Sequence, residues 1–461
     1  MSDAQPLIPA ARVIAAPSPA SAAAGRRMAR SLHDNALGLF GPQAFEDDVV
    51  HRRFLGRRQI ILSRPAGIQH ILVDNPENYR RTPAGIRILR PLLGQGLLLS
   101  RGEHWKHQRR TLAPAFAPRT MPLLARHVAA AAAETVAKLE RSAGRPVDLL
   151  AAMQFLALEI AGRSMFSLEM AGHGREMREL IKRYAARLGR PTLLDMLLPP
   201  ALPSPRDIAR WRFRRRWLEL IRRLIAERPS QAAETAPRDL LDLLAAARDP
   251  ESGAPFAPGQ LVDQVATMIV AGHETTAVAL FWSLYLVAGA PAVQYRLATE
   301  ARGFDLAPGG AAEALPELVY ARAVVHEVMR LYPPAFTLAR LAIADDEAGG
   351  VAIPAGTIVL ISPWVLHRHR RLWHDPERFD PDRFLPGVPP PDRFAYLPFG
   401  IGPRVCIGAQ FALTEATLVL AAMVRAFRIE RADDAPVTPR GIVTTQPDRA
   451  PPFLLQRRDG G

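Results

Sequence analysis

The 461-residue chain has a single cysteine, Cys406. No disulfide can close within it, and one thiol can build neither a multi-cysteine zinc site nor a cysteine-bound iron–sulfur cluster. Such usage fits a reducing cytoplasm. A hydrophobic leader is also lacking. The first thirty residues are rich in Ala, Pro and Ser, and Pro6, Pro9, Pro17 and Pro19 cut their apolar stretches too short for a membrane span or a signal h-region. A soluble, cytoplasmic protein is expected. The formal net charge of +14 comes without a zinc finger, an aromatic–basic RNA motif or a separate basic tail. Arginine-rich solvated helices are therefore its expected source, and no nucleic-acid partner is expected.

With 48% hydrophobic and 23% charged residues, the chain has globular composition and material for a large core. Residues 1–45 read as a loosely ordered lead-in, and residues 46–461 as one domain without repeat or linker. Val49 to Leu55 and Gln59 to Leu62, on either side of Gly56, read as a short hairpin. From Glu103 to Ala226 the patterning is helical, punctuated by prolines. A long helix is predicted from Pro258, a favourable first-turn residue, to Gly289-Ala290-Pro291, roughly 45 Å in length. Another runs from Leu318 to Leu331 and stops at Pro333-Pro334. Short strands are expected around Ala339–Ala344 and Ile353–Leu360, an irregular meander from His374 to Pro398, and a last helix from Ile407 to Phe427. The fold class is mainly α with a small β region.

The chemistry concentrates in Phe399-Gly-Ile-Gly-Pro-Arg-Val-Cys-Ile-Gly408. A cysteine just ahead of a helix is favoured as thiolate by the free N–H groups and partial positive charge of the helix end. Gly400 and Gly402 permit the backbone angles of a tight loop, and Gly408 lets the helix approach a flat ligand closely. Arg404 can reach an anionic group at the edge of that ligand. In the middle of the long helix lies Ala271-Gly-His-Glu-Thr-Thr276. Its glycine weakens the helix and its threonines can divert a backbone hydrogen bond, so a local opening is expected. An acid and an alcohol beside such an opening can relay protons. Trp105 and Arg109 lie one helical turn apart, an indole N–H and a guanidinium suited to a carboxylate. Glu327 and Arg330 share a helix face.

The cysteine segment resembles the haem-binding loop of the cytochromes P-450 at every diagnostic position, and the other motifs follow in the family's order and spacing over roughly residues 45–430. The resemblance implies a single domain holding haem b between the long central helix and the cysteine-ligand loop and helix. Cys406 is then the proximal ligand and the metal-binding residue, with Phe399 packed over the sulfur. Arg404, Trp105, Arg109 and Arg340 are expected on the propionates, with Arg101 as an extra contact. Glu274 becomes the proton-delivery acid and Thr275 the hydroxyl that organises the oxygen site. Glu327 and Arg330 become a buried structural pair completed by Arg383, in preference to Arg378. The implied reaction inserts one atom of O2 into a lipophilic substrate in a pocket lined by Val270, Ala271 and Ala335 to Leu338. The alternative is a haem-thiolate peroxygenase or isomerase, against which the acid–alcohol pair argues. Without a fused reductase module in the sequence, electrons are expected from a separate ferredoxin or flavoprotein, and the protein is expected to be a monomer.

Two surface readings complete the picture. The segment from Arg206 to Ile225 carries eight arginines interleaved with Ile208, Trp211, Trp217, Leu218, Ile221, Leu224 and Ile225. The apolar residues are expected on one buried face and the arginines in water, or else the segment joins Leu193–Leu198 in a peripheral membrane contact. Lys106 and Arg110 are expected to face outward and attract an acidic redox partner.

Overall fold

A computed structural model describes residues 35–168, 170, 172, 174–198, 202–227 and 236–458. The first 34 residues of the expected lead-in lie outside the described residues. The rest of it is not loose: residues 36–39 and 42–45 form two 3-10 turns whose Leu37, Phe40 and Phe45 are buried in the main core.

The principal helices are α1 (Pro83–Leu93), α2 (Gly102–Leu112), α3 (Met121–Glu140), α4 (Leu149–Phe166), α5 (Gly174–Arg183), α6 (Pro205–Glu227), α7 (Leu240–Ala246), α8 (Pro258–Ala288), α9 (Pro291–Arg302), α10 (Val319–Leu331) and α11 (Ala409–Ala426). A five-stranded sheet takes β1 (Val49–Phe54), β2 (Arg57–Leu62), β3 (Tyr79–Arg80), β4 (Leu338–Ala342) and β5 (Ile358–Ile361) in the order β1-β2-β5-β4-β3. The predicted hairpin is its edge: β1 and β2 pair antiparallel, with Phe54 opposite Arg57 across Leu55 and Gly56, both at positive φ. The pairing of β2 with β5 is parallel, and it docks the N-terminal hairpin onto a strand some 300 positions away (Gln59 opposite Ile358). A three-stranded sheet near the C-terminus joins Val147–Asp148, Pro452–Arg457 and Phe427–Arg431.

Helix α8 organises everything else. Pro258 occupies its first turn, where a missing N–H costs nothing, and the Gln260 side chain accepts from the Ala257 N–H at 3.0 Å. Its C-terminal half, including Val278, Phe281, Trp282 and Leu286, belongs to one hydrophobic core with α3, α4, α10 and α11. Its N-terminal half, including Val265, Ala266 and Ile269, belongs to a second core with α1, α5, α6 and α7. Between the two, Ala271 and Gly272 are exposed although they sit mid-helix in the protein interior. A helix buried on both sides of an accessible stretch borders an internal cleft. Among the described residues three helices (α4, α8 and α11) are long and apolar enough to cross a membrane, and each packs into these cores.

The sequence patterning of α6 is overturned in one respect. Phe213, Trp217, Leu220, Ile221 and Leu224 do line a buried face, but Arg210 is buried with them, whereas Ile208 and Trp211 are exposed.

Candidate functional site

Cys406 closes the loop that leads into α11. Its N–H donates to the Phe399 carbonyl at 2.9 Å and the Val405 N–H to that of Gly402 at 3.0 Å, which folds residues 399–406 back on themselves. Gly400 and Gly402 have φ of 70° and 74°, as the sequence suggested. At Gly402 a side chain is excluded outright, since a Cβ would lie 2.0 Å from the Leu72 carbonyl oxygen. Gly408 is the N-cap of α11, and a Cβ there would find its nearest neighbour, Phe116 Cε1, only at 4.0 Å, so its missing side chain leaves space that the protein does not fill. The same openness holds at Gly400 and Gly272, where a Cβ would meet no atom within 4 Å.

The residue Cys406 is exposed, yet burial pushes its thiol above the ordinary value against the opposing Gly408 N–H and the charge of Arg109. Both hold if the sulfur lies on the floor of a cleft, open on one side and surrounded by protein on the others. The helix end therefore does not by itself make Cys406 a thiolate. A metal cation bound opposite would invert that balance, because coordination deprotonates a thiol outright. Among the described residues no group of three or more His, Cys, Asp or Glu side chains could hold a metal ion.

Around the loop stand five arginines. Arg404 donates to the Ser100 carbonyl at 2.9 Å and lies 4.1 Å over the ring of Trp105. Arg109, half-buried, donates to the Val405 carbonyl at 2.9 Å. Arg340, on β4, is buried, and its one hydrogen bond among the described residues goes to the neighbouring Ala339 carbonyl at 3.1 Å. Arg340, Arg404 and Arg81 are each pushed down to about 10, first by burial and then by one another. Arg101 is lowered as well, by burial and by Arg80 and Arg90. Among the described residues none of the five forms an ion pair with a carboxylate, and Glu77 is the one acid whose field Arg404 feels. Mutually repelling, desolvated guanidiniums without an acid are unfavourable unless an anion belongs between them. They fit the propionates of a haem. Arg81 was missed by sequence reading, since it belongs to no motif. Trp105 is present at this cluster, under Arg404, and its indole N–H has no partner among the described residues.

On the facing wall, α8 runs unbroken through Gly272. The expected opening is instead a diverted bond: the Thr275 hydroxyl donates to the Ala271 carbonyl at 2.6 Å. Glu274 is bonded by Gln446 and lies by Thr444, and burial raises its carboxyl above the usual range. His273, to which the sequence assigned no role, turns away and meets the Gln154 carbonyl of α4 at 3.1 Å. A further acid lies behind the helix. Glu415 of α11 is buried, accepts from Thr276 at 3.2 Å, and is pushed up to about 8 by burial. A lone acid in the apolar run Phe411–Val424 was the available signal for it.

Beneath the site, Glu327 and Arg330 form a fully buried bidentate pair at 2.6 and 2.7 Å. Arg330 also reaches the carbonyls of His367, Pro376 and Arg378, and the Asp380 N–H donates to Glu327. The guanidinium of Arg383 stands 3.8 Å from Glu327, while Arg378 contributes only its carbonyl. On α2 Lys106 is exposed, as expected, and pairs with Glu103 at 2.7 Å, whereas the half-buried Arg110 pairs with Glu251 at 2.9 Å and Asp249 at 3.4 Å.

A mainly helical domain with its single cysteine exposed on a glycine-rich loop ahead of α11, beside arginines that have no carboxylate partner among the described residues, has the arrangement that a haem-thiolate protein requires. The sequence agrees: the family model for Cytochrome P450 matches residues 43–450, and the chain belongs to that family. It is 34% identical over 385 residues to cyclooctat-9-en-7-ol 5-monooxygenase of Streptomyces melanosporofaciens, which covers 83% of this chain and 82% of that protein. Pentalenene oxygenase of Streptomyces avermitilis is 33% identical over 81% of this chain and 82% of its own length. The crystal structure of the cytochrome P450DA heme domain superposes with a TM-score of 0.79 at 26% identity, covering 89% of this chain and 90% of that one. The protein is a haem b-dependent monooxygenase, which uses O2, a lipophilic substrate and a redox partner.

Proposed function

We propose that the chain oxygenates a compact, hydrocarbon-rich substrate in the cleft between α8 and Cys406, in the cytoplasm, with electrons from a separate ferredoxin or flavoprotein. The arginine socket beside the exposed Cys406 is the observation that carries this reading. Cys406 would hold the iron, with Phe399 packed beside the sulfur and the Gly408 N–H and Arg109 stabilising the thiolate. Arg404, Arg109 and Arg340, together with Trp105 and Arg81, would hold the propionates. Gly400 and Gly408 leave the room that a flat ligand requires. Haem, when bound, supplies the oxygen activation, and the protein supplies orientation and protons.

Burial lets Glu274 retain a proton closer to neutral pH than an ordinary carboxyl, which suits it to proton delivery. Thr275, the next residue, holds a hydroxyl at the Ala271 carbonyl, on the accessible part of the helix. The exposed Ala271 and Ala335 and the half-buried Val270 and Leu338 offer small apolar surfaces to a substrate. The two Streptomyces relatives are named for cyclooctat-9-en-7-ol and pentalenene, which supports a substrate of that kind.

The test is reconstitution of the haem-loaded protein with a ferredoxin and its reductase, screening terpene-like compounds first for a low- to high-spin shift and then for product under isotopically labelled O2. One labelled atom in the product is expected. Product with peroxide alone, and none with the reductase system, would replace this reading with a peroxygenase. Thr275→Ala should keep consuming reducing equivalents but release them mainly as hydrogen peroxide, and Glu274→Gln should slow turnover. Wild-type rate and coupling in both would remove the relay.

A further inference from the structure

Thirteen large hydrophobic side chains are exposed among the described residues, and six of them fall between positions 193 and 211. Leu193, Leu194, Leu197, Leu202, Ile208 and Trp211 are 46–64% exposed, a concentration that scattered surface apolars do not explain.

The exposure is enforced. Leu193, Leu194 and Leu197 share the short helix Leu193–Leu197 with Asp195, which is buried and takes both ends of a fork from Arg210 at 2.6 and 3.0 Å. Asp195 also accepts from the Thr192 hydroxyl and N–H, closing a capping box. On α6, the buried Arg210 bonds Asp207 at 3.0 Å and the Leu188 carbonyl at 3.0 Å. Turning Asp195, Asp207 and Arg210 inward leaves the leucines, Ile208 and Trp211 facing out. Burying charge is expensive and burying leucine is favourable, so folding alone would select the opposite arrangement.

The surroundings are cationic. Arg212 and Arg215 are exposed and fall four and seven residues after Ile208, on the same stripe of α6 as Trp211. Arg222 continues the stripe, and Glu219, the acid between, stands 4.0 Å from Arg215 in a solvent-exposed pair that lipid phosphate can replace. A second copy of the chain is disfavoured as the occupant, because a two-fold contact would set one arginine stripe against another.

We propose that this face rests on an anionic phospholipid bilayer, with the leucines and Trp211 at headgroup depth and the arginines of α6 on lipid phosphates. The binding does not depend on the proposed reaction. The consequence that a bilayer-dissolved substrate is drawn from the membrane does rest on that reading.

The experiment is sedimentation of the full chain with vesicles of phosphatidylcholine, with and without phosphatidylglycerol. Retention on the mixed vesicles at low salt, its decline with added salt and little retention on phosphatidylcholine alone are expected. The combined variant L194S/L197S/W211S should reduce partitioning by ~10-fold or more at an unchanged thermal midpoint. The exposed pair R212E/R215E, which leaves the clamp untouched, should do the same by ~10-fold. Absence of retention at low salt overturns the proposal, as does wild-type retention by both variants, which would place binding elsewhere on the chain. A concentration-dependent dimer abolished by L194S/L197S/W211S would give the face to a second copy and overturn it equally.

Discussion

Arg330 and Arg340 are ten positions apart, both buried, and surrounded very differently. Arg330 is complete, with both carboxylate oxygens of Glu327 and three carbonyls as acceptors. Arg340 has one carbonyl from its own neighbour, and Arg404 as an adjacent like charge. A closed network of this sort can only hold the fold together. An open one is costly in isolation and becomes favourable when an external anion completes it, which marks a ligand socket. The same contrast separates the Arg210 clamp, closed by Asp195 and Asp207, from Arg81, Arg101, Arg109 and Arg404, which pair with no carboxylate among the described residues.

The comparison breaks most visibly at the closed network. Glu327→Ala should destabilise the protein by about 3–5 kcal/mol, because it strands a buried guanidinium. Chemical denaturation measures this, and a loss under 1 kcal/mol would mean that the three carbonyls suffice for Arg330. At the socket the sign should reverse. Arg340→Leu and Arg404→Leu should leave the haem-free protein as stable as wild type or more so, while haem retention falls by roughly 10-fold or more, the equivalent of about 1.5–3 kcal/mol for a charged hydrogen bond. Transfer of haem to an apo-globin acceptor reads the second quantity. Equal destabilisation of the haem-free protein in these variants would make the two networks alike.

A smaller effect separates two buried acids. Glu327 has a cationic partner, whereas Glu415 has a threonine hydroxyl. With the folded value of Glu415 near 8 against an ordinary 4.5, the folded state binds the extra proton. Its contribution is fully present below the unfolded value and is lost as pH rises through the interval to about 8. Glu415→Gln should therefore flatten the decline of stability over that range. An unchanged slope would assign the decline to other groups.

Elements with strong punctuation were legible from sequence. Pro258 and Gly289 bracket α8, Pro333-Pro334 ends α10, and the Gly56 hairpin and α11 fall where periodicity placed them, within two residues. The loop glycines were legible too, since Gly402 must pass the Leu72 carbonyl and only glycine can. What escaped depends on partners distant in the chain. Arg210 lies on the buried face of α6 because Asp195, fifteen positions earlier, turns to meet it, and no helical period carries that information. Arg110 is half-buried because Asp249 and Glu251, far along the chain, pair with it, and Arg81 joins the socket only through the sheet that sets β3 beside β4. Residues 36–45 read as loose because their two short turns have no periodicity, yet they bury Phe40 and Phe45.

The account stands on Cys406 as the iron ligand within that socket. The most direct measurement is the absorption spectrum of the haem-loaded protein, reduced and exposed to carbon monoxide, in wild type and in Cys406→His. Wild type should show the strongly red-shifted Soret band of thiolate ligation, and the variant should move to the imidazole-type position. The same spectrum from both proteins would contradict the assignment.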